Sequence, residues 1–289
     1  MADIDPVSGR LASAEGNDPG RSELAKRVLS ALVLAPLALG AVYVGGWPFV
    51  LFWGVAALGV YWEWTTIVAD ANKRGLLATG LATLVLACVL AGYGRLGMAL
   101  AIVAAAALVA GMIATRGQRL WACGGVLYAG IVVLAPAALR ADPEYGGFAI
   151  VLLFAVVWAS DILGYFVGRA VGGPKLAPRV SPKKTWSGTL GGIIGAVGAA
   201  FAIAAYAGVS NTIALGMLAV VLSVVSQAGD LGESAIKRKF GVKDASRIIP
   251  GHGGLMDRLD GFLAAAAAAA IIGIARGGLG SSARGLLMW

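Results

Sequence analysis

LGMALAIVAAAALVAGMIA, residues 96–114, decides the class of fold, because this run of 19 residues contains no charged side chain. As a helix rising about 1.5 Å per residue, it is long enough to cross the roughly 30 Å hydrocarbon layer of a bilayer. Similar runs recur along the chain, which is 59% apolar and only 13% charged. Soluble domains carry about 25% charged residues, and disordered chains need low hydrophobicity. The sequence therefore predicts a polytopic membrane protein.

The apolar runs predict an all-α fold with about nine transmembrane helices. Helices are favoured because they satisfy their backbone hydrogen bonds internally, and the period-two alternation of a membrane barrel is absent. Residues 1–27 are polar and predict a mobile tail, which leaves residues 28–289 as a single transmembrane domain. The predicted spans cover residues 28–45, 48–68, 76–93, 96–114, 121–139, 147–168, 188–208, 212–232 and 261–279.

Basic residues are distributed unevenly between the two sides of this arrangement. Cytoplasmic loops of membrane proteins carry an excess of Lys and Arg. If the N-terminus is cytoplasmic, 19 of the 23 basic residues fall on the cytoplasmic side. Eleven of these lie in two long loops, near residues 169–187 and 233–260. We therefore expect a cytoplasmic N-terminus and a functional site at these loops. The net charge of +8 does not indicate nucleic acid, because no basic stripe with interleaved aromatics occurs.

Carboxylates inside or beside the apolar runs are candidate functional residues. Each costs several kcal/mol in a membrane unless it is paired or lines a wet cavity. Four of them lie toward the cytoplasmic ends of their predicted helices: Glu63, Asp161, Asp230 and Glu233. Their common side predicts a polar site that opens toward the cytoplasm.

The densest cluster of charge is QAGDLGESAIKRKFGVKDASRIIPGHGGLMDRLD, residues 227–260. On a helix, Asp230, Glu233 and Lys237 share one face, and Asp257 and Asp260 share another. Carboxylate pairs are hard oxygen ligands that suit Mg²⁺, and neighbouring Lys and Arg side chains can hold phosphate oxygens. This stretch predicts a site for a metal and phosphate groups.

Two further features accompany this cluster. His252 is the only histidine and lies in a glycine-rich break, PGHGG, between charged segments, where we favour a functional role over a structural one. The upstream segment SPKKTWSG, residues 181–188, fits either anchoring at anionic lipid or a phosphate clamp. Hydroxyl groups flank Lys183 and Lys184, which favours the clamp. P-loop, HExxH and GxSxG motifs are absent, so nucleotide chemistry would depend on a metal and basic loops.

The segment SAIKRKFGVKDASRIIPGHGGLMDRLD, residues 234–260, resembles the signature of the phosphatidate cytidylyltransferases, also called CDP-diacylglycerol synthases. Residues 160–161 (SD) and 181–186 (SPKKTW) are similar to upstream motifs of that family, and the resemblance extends over residues 28–276. The chain departs from the family at two positions. Leu163 stands where a small hydroxyl residue is expected, and Ser187 stands where members usually carry Glu.

The resemblance implies an enzyme of phospholipid biosynthesis in the inner membrane, which condenses CTP with phosphatidic acid at the cytoplasmic face. The products are CDP-diacylglycerol and pyrophosphate. It also implies Mg²⁺, with room for a second ion such as K⁺, and pairing of two copies as a homodimer. Asp230 and Asp257 would be the main metal ligands, supported by Glu233 and Asp260.

The resemblance further assigns roles to individual residues. The catalytic set would be Asp230, Asp257, Lys237, His252 and Asp260. The residues around the phosphates of CTP and phosphatidate would be Asp161, Ser181, Lys183, Lys184, Thr185, Ser234, Arg238, Lys243 and Arg258.

Two alternatives to this function stay open at the level of sequence. A CTP-dependent polyprenol or phytol kinase would share the nucleotide and the membrane setting but transfer the γ-phosphoryl group. A cation transporter with broken helices would place polar residues near the middle of the membrane and repeat its halves. The charges here gather at one side and no internal repeat is visible, which disfavours the transporter.

Overall fold

The computed structural model describes residues 19–68, 70–207, 211–246, 248–249 and 253–289. Within these ranges the chain forms nine long helices joined mostly by short turns. They are α1 (Pro19–Val44), α2 (Gly46–Val68), α3 (Lys73–Gly92), α4 (Leu96–Ile113), α5 (Arg119–Arg140), α6 (Gly146–Val171), α7 (Trp186–Ala207), α8 (Thr212–Lys239) and α9 (Met256–Gly277). The shorter elements are a 3-10 turn (Arg116–Gln118), strands β1 (Lys175–Ala177) and β2 (Ser181–Thr185), and helix α10 (Ser282–Leu287).

The helices agree with the predicted apolar spans, each of which lies on one long helix. Within the described ranges, seven helices, α3 to α9, are long and apolar enough to cross a membrane. The nearly all-α, multi-pass membrane architecture is therefore confirmed. Helices α1 and α2 are not among these seven, so nine crossings stay a prediction.

The structure differs from the sequence prediction where the helices leave the apolar runs. Helix α8 continues seven residues past its predicted span to Lys239, because backbone hydrogen bonds continue after hydropathy falls. The loop predicted near residues 169–187 contains an antiparallel hairpin, in which Lys175 of β1 is paired with Thr185 of β2. Gly172 and Gly173 have positive φ angles and end α6 before the hairpin. Of the predicted tail, residues 1–18 lie outside the described ranges, and α1 begins at Pro19.

Glycines let α6 and α7 cross at short distance. A Cβ atom built on Gly188 of α7 would lie 2.7 Å from the carbonyl oxygen of Gly164 and 3.2 Å from Cα of Gly168, both on α6. In lipid, helices associate through such close backbone packing rather than through the hydrophobic effect. The crossing places the start of α7 and the preceding hairpin against the C-terminal half of α6.

Aromatic rings join α2, α6 and α9 in the interior. Trp53 of α2 is 2% exposed, and its ring stacks on Phe262 of α9 with centroids 4.9 Å apart. Phe154 of α6 packs on Phe262 at 5.1 Å. These contacts hold α9 between α2 and α6, with its first turn at the same end of the bundle as the hairpin.

The opposite end of the bundle is closed by α10. Ser282 donates a hydrogen bond to the carbonyl oxygen of Ala138 at 2.6 Å. Asp142, in the turn between α5 and α6, accepts from the backbone N–H groups of Tyr145 and Arg284 at 3.0 and 3.1 Å. Burial raises the pKa of Asp142, but these N–H donors outweigh it and hold the pKa below its usual value.

Candidate active site

The hairpin and the adjoining ends of α6, α7, α8 and α9 enclose a polar cavity of about 630 Å³. A cavity of this size suits a small-molecule ligand. Its charged lining residues are Asp161, Arg169, Lys175, Lys183, Lys184, Asp230, Asp257, Arg258 and Asp260. Its polar, uncharged lining residues are Ser160, Tyr165, Thr185, Thr189 and Gln227. Basic and acidic groups thus face the same space, as a site for a metal and phosphates requires.

Asp257 lies in the first turn of α9 and is held by three donors. Its Oδ2 accepts from the backbone N–H groups of Ala245 at 2.9 Å and Gly254 at 2.8 Å. Its Oδ1 accepts from Nζ of Lys237. These contacts orient the carboxylate before any ligand binds.

Lys237 of α8 joins Asp257 to a second carboxylate. Its Nζ lies 3.1 Å from Oε1 of Glu233, one helical turn earlier, in an ion pair that is almost fully buried. The side chain of Asp260 also lies within hydrogen-bonding reach of Glu233. Two carboxylates, Glu233 and Asp257, share the single positive charge of Lys237, so this part of the site favours a further positively charged group.

The β-hairpin brings lysines to the cavity. Nζ of Lys184 forms an ion pair with Oδ2 of Asp230 at 2.5 Å, which connects β2 to α8. Lys183 and Lys175 also line the cavity from the hairpin. Ser187, one of the two departures from the family pattern, donates to the carbonyl oxygen of Gly172 and thereby closes the base of the hairpin.

Polar residues of three helices form a network beside the charged groups. The hydroxyl groups of Ser160 on α6 and Ser223 on α8 lie 2.8 Å apart. Nε2 of Gln227 donates to the hydroxyl of Ser223 at 3.2 Å and to the carbonyl oxygen of Thr189 at 3.4 Å. Such bonds between helices contribute about 0.6 kcal/mol each in membranes. They fix the relative positions of α6, α7 and α8 around the cavity.

Most of the residues predicted for the site lie in or against the cavity. Those that line it are Asp161, Lys183, Lys184, Thr185, Asp230, Asp257, Arg258 and Asp260. Lys237 and Glu233 contact this set through Asp257, and Ser234 donates to Oδ1 of Asp230 at 3.4 Å. The charged residues of α8 and α9 that the sequence places on common helix faces thus do meet.

Three further predicted residues also lie outside the lining of the cavity. Ser181 pairs with Ala177 at the far end of the hairpin. Arg238 donates to the carbonyl oxygen of Val242 at 3.3 Å, and Lys243 is exposed. His252 lies outside the described residues.

Sequence reasoning missed several residues that line the cavity. Arg169 and Lys175 belong to the predicted basic loop but were not assigned to the site. Gln227 and Thr189 are polar residues near the predicted cytoplasmic ends of their helices, and that position is the signal that indicates them. Glu63, singled out by the sequence, does not line the cavity.

The donor groups fit a magnesium ion that is completed by phosphate oxygens. In the part of the chain that the structure describes, no three Asp, Glu, His or Cys residues are grouped closely enough to hold a metal alone. Four carboxylates nevertheless line one cavity together with basic groups: Asp161, Asp230, Asp257 and Asp260. Mg²⁺ in nucleotide sites is usually bound by one or two carboxylates plus substrate phosphates and water.

Comparison with known proteins identifies similar chains over most of this length. The model of the cytidylyltransferase family matches residues 25–274. A phosphatidate cytidylyltransferase of Brucella abortus is 42% identical over 248 residues, which are 85% of this chain and 92% of that protein. A phosphatidate cytidylyltransferase of Pseudomonas aeruginosa is 37% identical over 256 residues, with 84% and 94% covered. One from Mycobacterium tuberculosis is 44% identical over 137 residues, with 47% and 41% covered.

Proposed function

Because the chain belongs to the cytidylyltransferase family, we propose that it transfers the cytidylyl group of CTP to phosphatidic acid. The products are CDP-diacylglycerol and pyrophosphate. The observation that carries this proposal is the cavity in which the lysines of the hairpin face the carboxylates of α8 and α9. Its position at the end of apolar helices lets acyl chains stay in lipid while the lipid phosphate meets water-borne CTP.

The reaction is an in-line displacement at phosphorus. An oxygen of the lipid phosphate attacks the α-phosphorus of CTP and forms a new P–O bond, while the bond to the bridging oxygen of pyrophosphate breaks. The attacking oxygen is already anionic at neutral pH, so the reaction has little need of a general base. His252 therefore orients phosphate rather than accepting a proton. No covalent intermediate with the enzyme is required.

Each group of the cavity has a role in this scheme. Asp230 and Asp257 would hold Mg²⁺, which when bound neutralises the phosphate charge that develops as pyrophosphate leaves. Lys184 then exchanges its ion pair with Asp230 for a phosphate oxygen. Lys183 and Arg258 bind the remaining phosphate oxygens, since ammonium and guanidinium groups are strong donors to them.

Two carboxylates extend the metal site. Asp260 lines the cavity one helical turn after Asp257 on α9, and Glu233 contacts Lys237. Both are available as supporting ligands. A second ion such as K⁺ would be bound next to Glu233, which shares the single positive charge of Lys237 with Asp257.

We place the protein in the bacterial inner membrane with nine crossings, a cytoplasmic N-terminus and the cavity open to the cytoplasm. The distribution of basic residues supports this orientation, because 11 of the 23 lie in the two loops beside the cavity. The bacterial source of the relatives fits an inner membrane. Pairing of two copies, which the resemblance implies, stays a prediction. Sedimentation in detergent would measure the oligomeric state.

Product analysis tests the function. Purified protein is incubated with Mg²⁺, phosphatidic acid in mixed micelles, and CTP labelled at the α-phosphorus. We expect the label in a CDP-lipid and unlabelled pyrophosphate in equal amount. Release of labelled CDP, with a phosphorylated alcohol formed from added polyprenol or phytol, would indicate the kinase instead. Movement of ions without turnover of CTP would indicate the transporter.

A further inference from the structure

Glu63 of α2 is completely buried and accepts hydrogen bonds from the segment between α8 and α9. Its Oε1 accepts from the hydroxyl of Ser246 and from the N–H of Leu255 at 2.8 Å. Its Oε2 accepts from the N–H of Met256 at 2.7 Å. Among the described residues, no lysine or arginine forms an ion pair with it. These hydrogen bonds therefore compensate for burial of the carboxylate.

Two of the three donors are at the beginning of α9, whose first residue is Met256. The first N–H groups of a helix have no acceptor within the helix and form the positive end of its dipole. The side chain of the N-cap residue, Leu255, does not cap this end. A carboxylate from a different helix, Glu63, caps it instead and thereby ties α9 to α2.

The described part of the loop packs closely against α2 around Glu63. A Cβ atom on Gly254 would lie 2.8 Å from Oε1 of Glu63 and 2.9 Å from the backbone nitrogen of Ser246. One helical turn earlier on α2, a Cβ atom on Gly59 would lie 2.9 Å from the side chain of Leu255. Glycines at both positions let the loop backbone approach the carboxylate directly.

The same loop is bound by the proposed metal ligand. Asp257 directly follows Met256 and accepts from the N–H groups of Ala245 and Gly254. The loop is thus held from one side by Glu63 and from the other by Asp257. A shift of the loop away from Glu63 would move the carboxylate of Asp257 with it.

We propose that Glu63 is a positioning residue, which sets the start of α9 so that Asp257 and Asp260 face the cavity. This inference rests on the proposed function, in which Asp257 binds Mg²⁺. It gives a role to a carboxylate that contacts neither the cavity nor a substrate.

The test compares Glu63→Gln with a matched control on the same helix, Tyr61→Phe. Glutamine keeps the size of the side chain, but its NH₂ group cannot accept from the N–H donors at the start of α9. We expect kcat for CDP-diacylglycerol formation to fall about 100-fold, because displacements near 1 Å have effects of that order. We also expect a higher Mg²⁺ concentration at half-maximal rate and a smaller rise in melting temperature on addition of Mg²⁺ and CTP.

Tyr61→Phe removes a different buried hydrogen bond of α2, from the hydroxyl of Tyr61 to the carbonyl oxygen of Leu76 at 2.8 Å. It should lower the melting temperature while leaving kcat and the Mg²⁺ dependence unchanged. A second variant, Ser246→Ala, removes one donor to Glu63 and should lower kcat alone, but add little in the Glu63→Gln background. If Glu63→Gln does not fold, Ser246→Ala provides the test. A loss of kcat and a smaller thermal shift in Ser246→Ala would support the proposal, and wild-type values would overturn it.

Wild-type kcat and Mg²⁺ dependence in Glu63→Gln, or an equal loss of kcat in Tyr61→Phe, would overturn the proposal. Absence of CDP-lipid from the wild-type protein would contradict the proposed function instead. The rise in melting temperature on addition of Mg²⁺ and CTP can be measured without turnover. If this rise is the same in Glu63→Gln as in the wild type, the proposed role of Glu63 is overturned.

Discussion

At the scale of single residues, two of the carboxylates that line the cavity are each paired with a lysine before any ligand arrives. Asp257 binds Lys237 and two backbone N–H groups, and Asp230 binds Lys184. A buried ion pair contributes little net stability, but removal of one partner leaves an uncompensated charge. These pairs therefore keep negative oxygens in place at the cavity wall, where a metal with its phosphates can take the place of the lysines.

The substitution Asp257→Asn tests this arrangement, because it replaces one carboxylate oxygen with an NH₂ group. The amide group is neutral and has one acceptor oxygen instead of two, so it cannot both bind a metal and receive the N–H groups of Ala245 and Gly254. We expect CDP-lipid formation to fall by about 10²-fold or more, the size of effect seen when one charge-stabilising group is removed from an active site. Steady-state kinetics with CTP and phosphatidate measure this loss.

The control for Asp257→Asn is Glu144→Gln, which neutralises an exposed carboxylate at the opposite end of the bundle. Glu144 forms a surface ion pair with Arg284, and such pairs contribute little to stability. The Glu144→Gln variant should therefore keep wild-type kinetics. Both variants should elute as folded protein in detergent, and near-normal turnover by Asp257→Asn would contradict its role as a ligand.

The residues of the site were predictable where their chemistry is unusual for their surroundings. A carboxylate such as Asp230 in an apolar run is conspicuous in any sequence. Its pairing with Lys184 could not be predicted, because it depends on how the hairpin folds back across α8. The contacts of Glu63 with a loop almost 200 positions away in the chain could not be predicted either, because they also depend on the tertiary fold.

At the scale of elements, the close crossing of α6 and α7 determines where the hairpin lies. Hydropathy predicted both helices, since their apolar runs exceed the thickness of the membrane. The hairpin between them was not predicted, because strands of three and five residues are too short to show an alternating pattern. Gly188 of α7 lies at the crossing itself, where its lack of a side chain allows the close approach.

Gly188→Ala tests the crossing. The added methyl group would lie 2.7 Å from a backbone oxygen of Gly164, so the helices must separate. Overpacking of this kind costs about 1–3 kcal/mol, and Gly188 also lines the cavity, so we expect a lower melting temperature together with lower activity.

The matched control on the same helix is Gly198→Ala, whose added Cβ atom would have no neighbour within 4 Å. Alanine favours helices over glycine by up to about 1 kcal/mol, so this variant should be as stable as the wild type or more so. Melting curves in detergent compare the two. Equal effects of both substitutions would show that helix propensity, not the crossing, governs this position.

At the scale of the whole molecule, the two ends of the bundle differ in character. One end holds the cavity and most of the basic residues, and the other is closed by α10 and the turn at Asp142. The count of basic residues predicted this polarity from sequence, because the charge bias is a property of whole loops and does not need tertiary detail. The number of crossings depends on α1 and α2, which are not among the seven helices that are long and apolar enough to span a membrane within the described residues.

Cysteine labelling tests the orientation of the whole molecule. In a background with Cys88 and Cys123 replaced by alanine, Glu144→Cys and Arg179→Cys place one exposed thiol at each end of the bundle. A membrane-impermeant maleimide should label the Glu144→Cys protein in spheroplasts and the Arg179→Cys protein only after lysis. The reverse pattern would place the cavity on the outer side.

The contacts of Glu63 also constrain how the protein is made. The hydrogen-bond donors to Glu63 lie 183 to 193 positions after it in the chain. At a synthesis rate of about 5–20 residues per second, α2 emerges from the ribosome roughly 10–40 s before the start of α9. During that interval α2 carries a carboxylate whose donors have not yet been synthesised. The hydrogen bonds that compensate for burial of this carboxylate therefore form only after the last helices have been made.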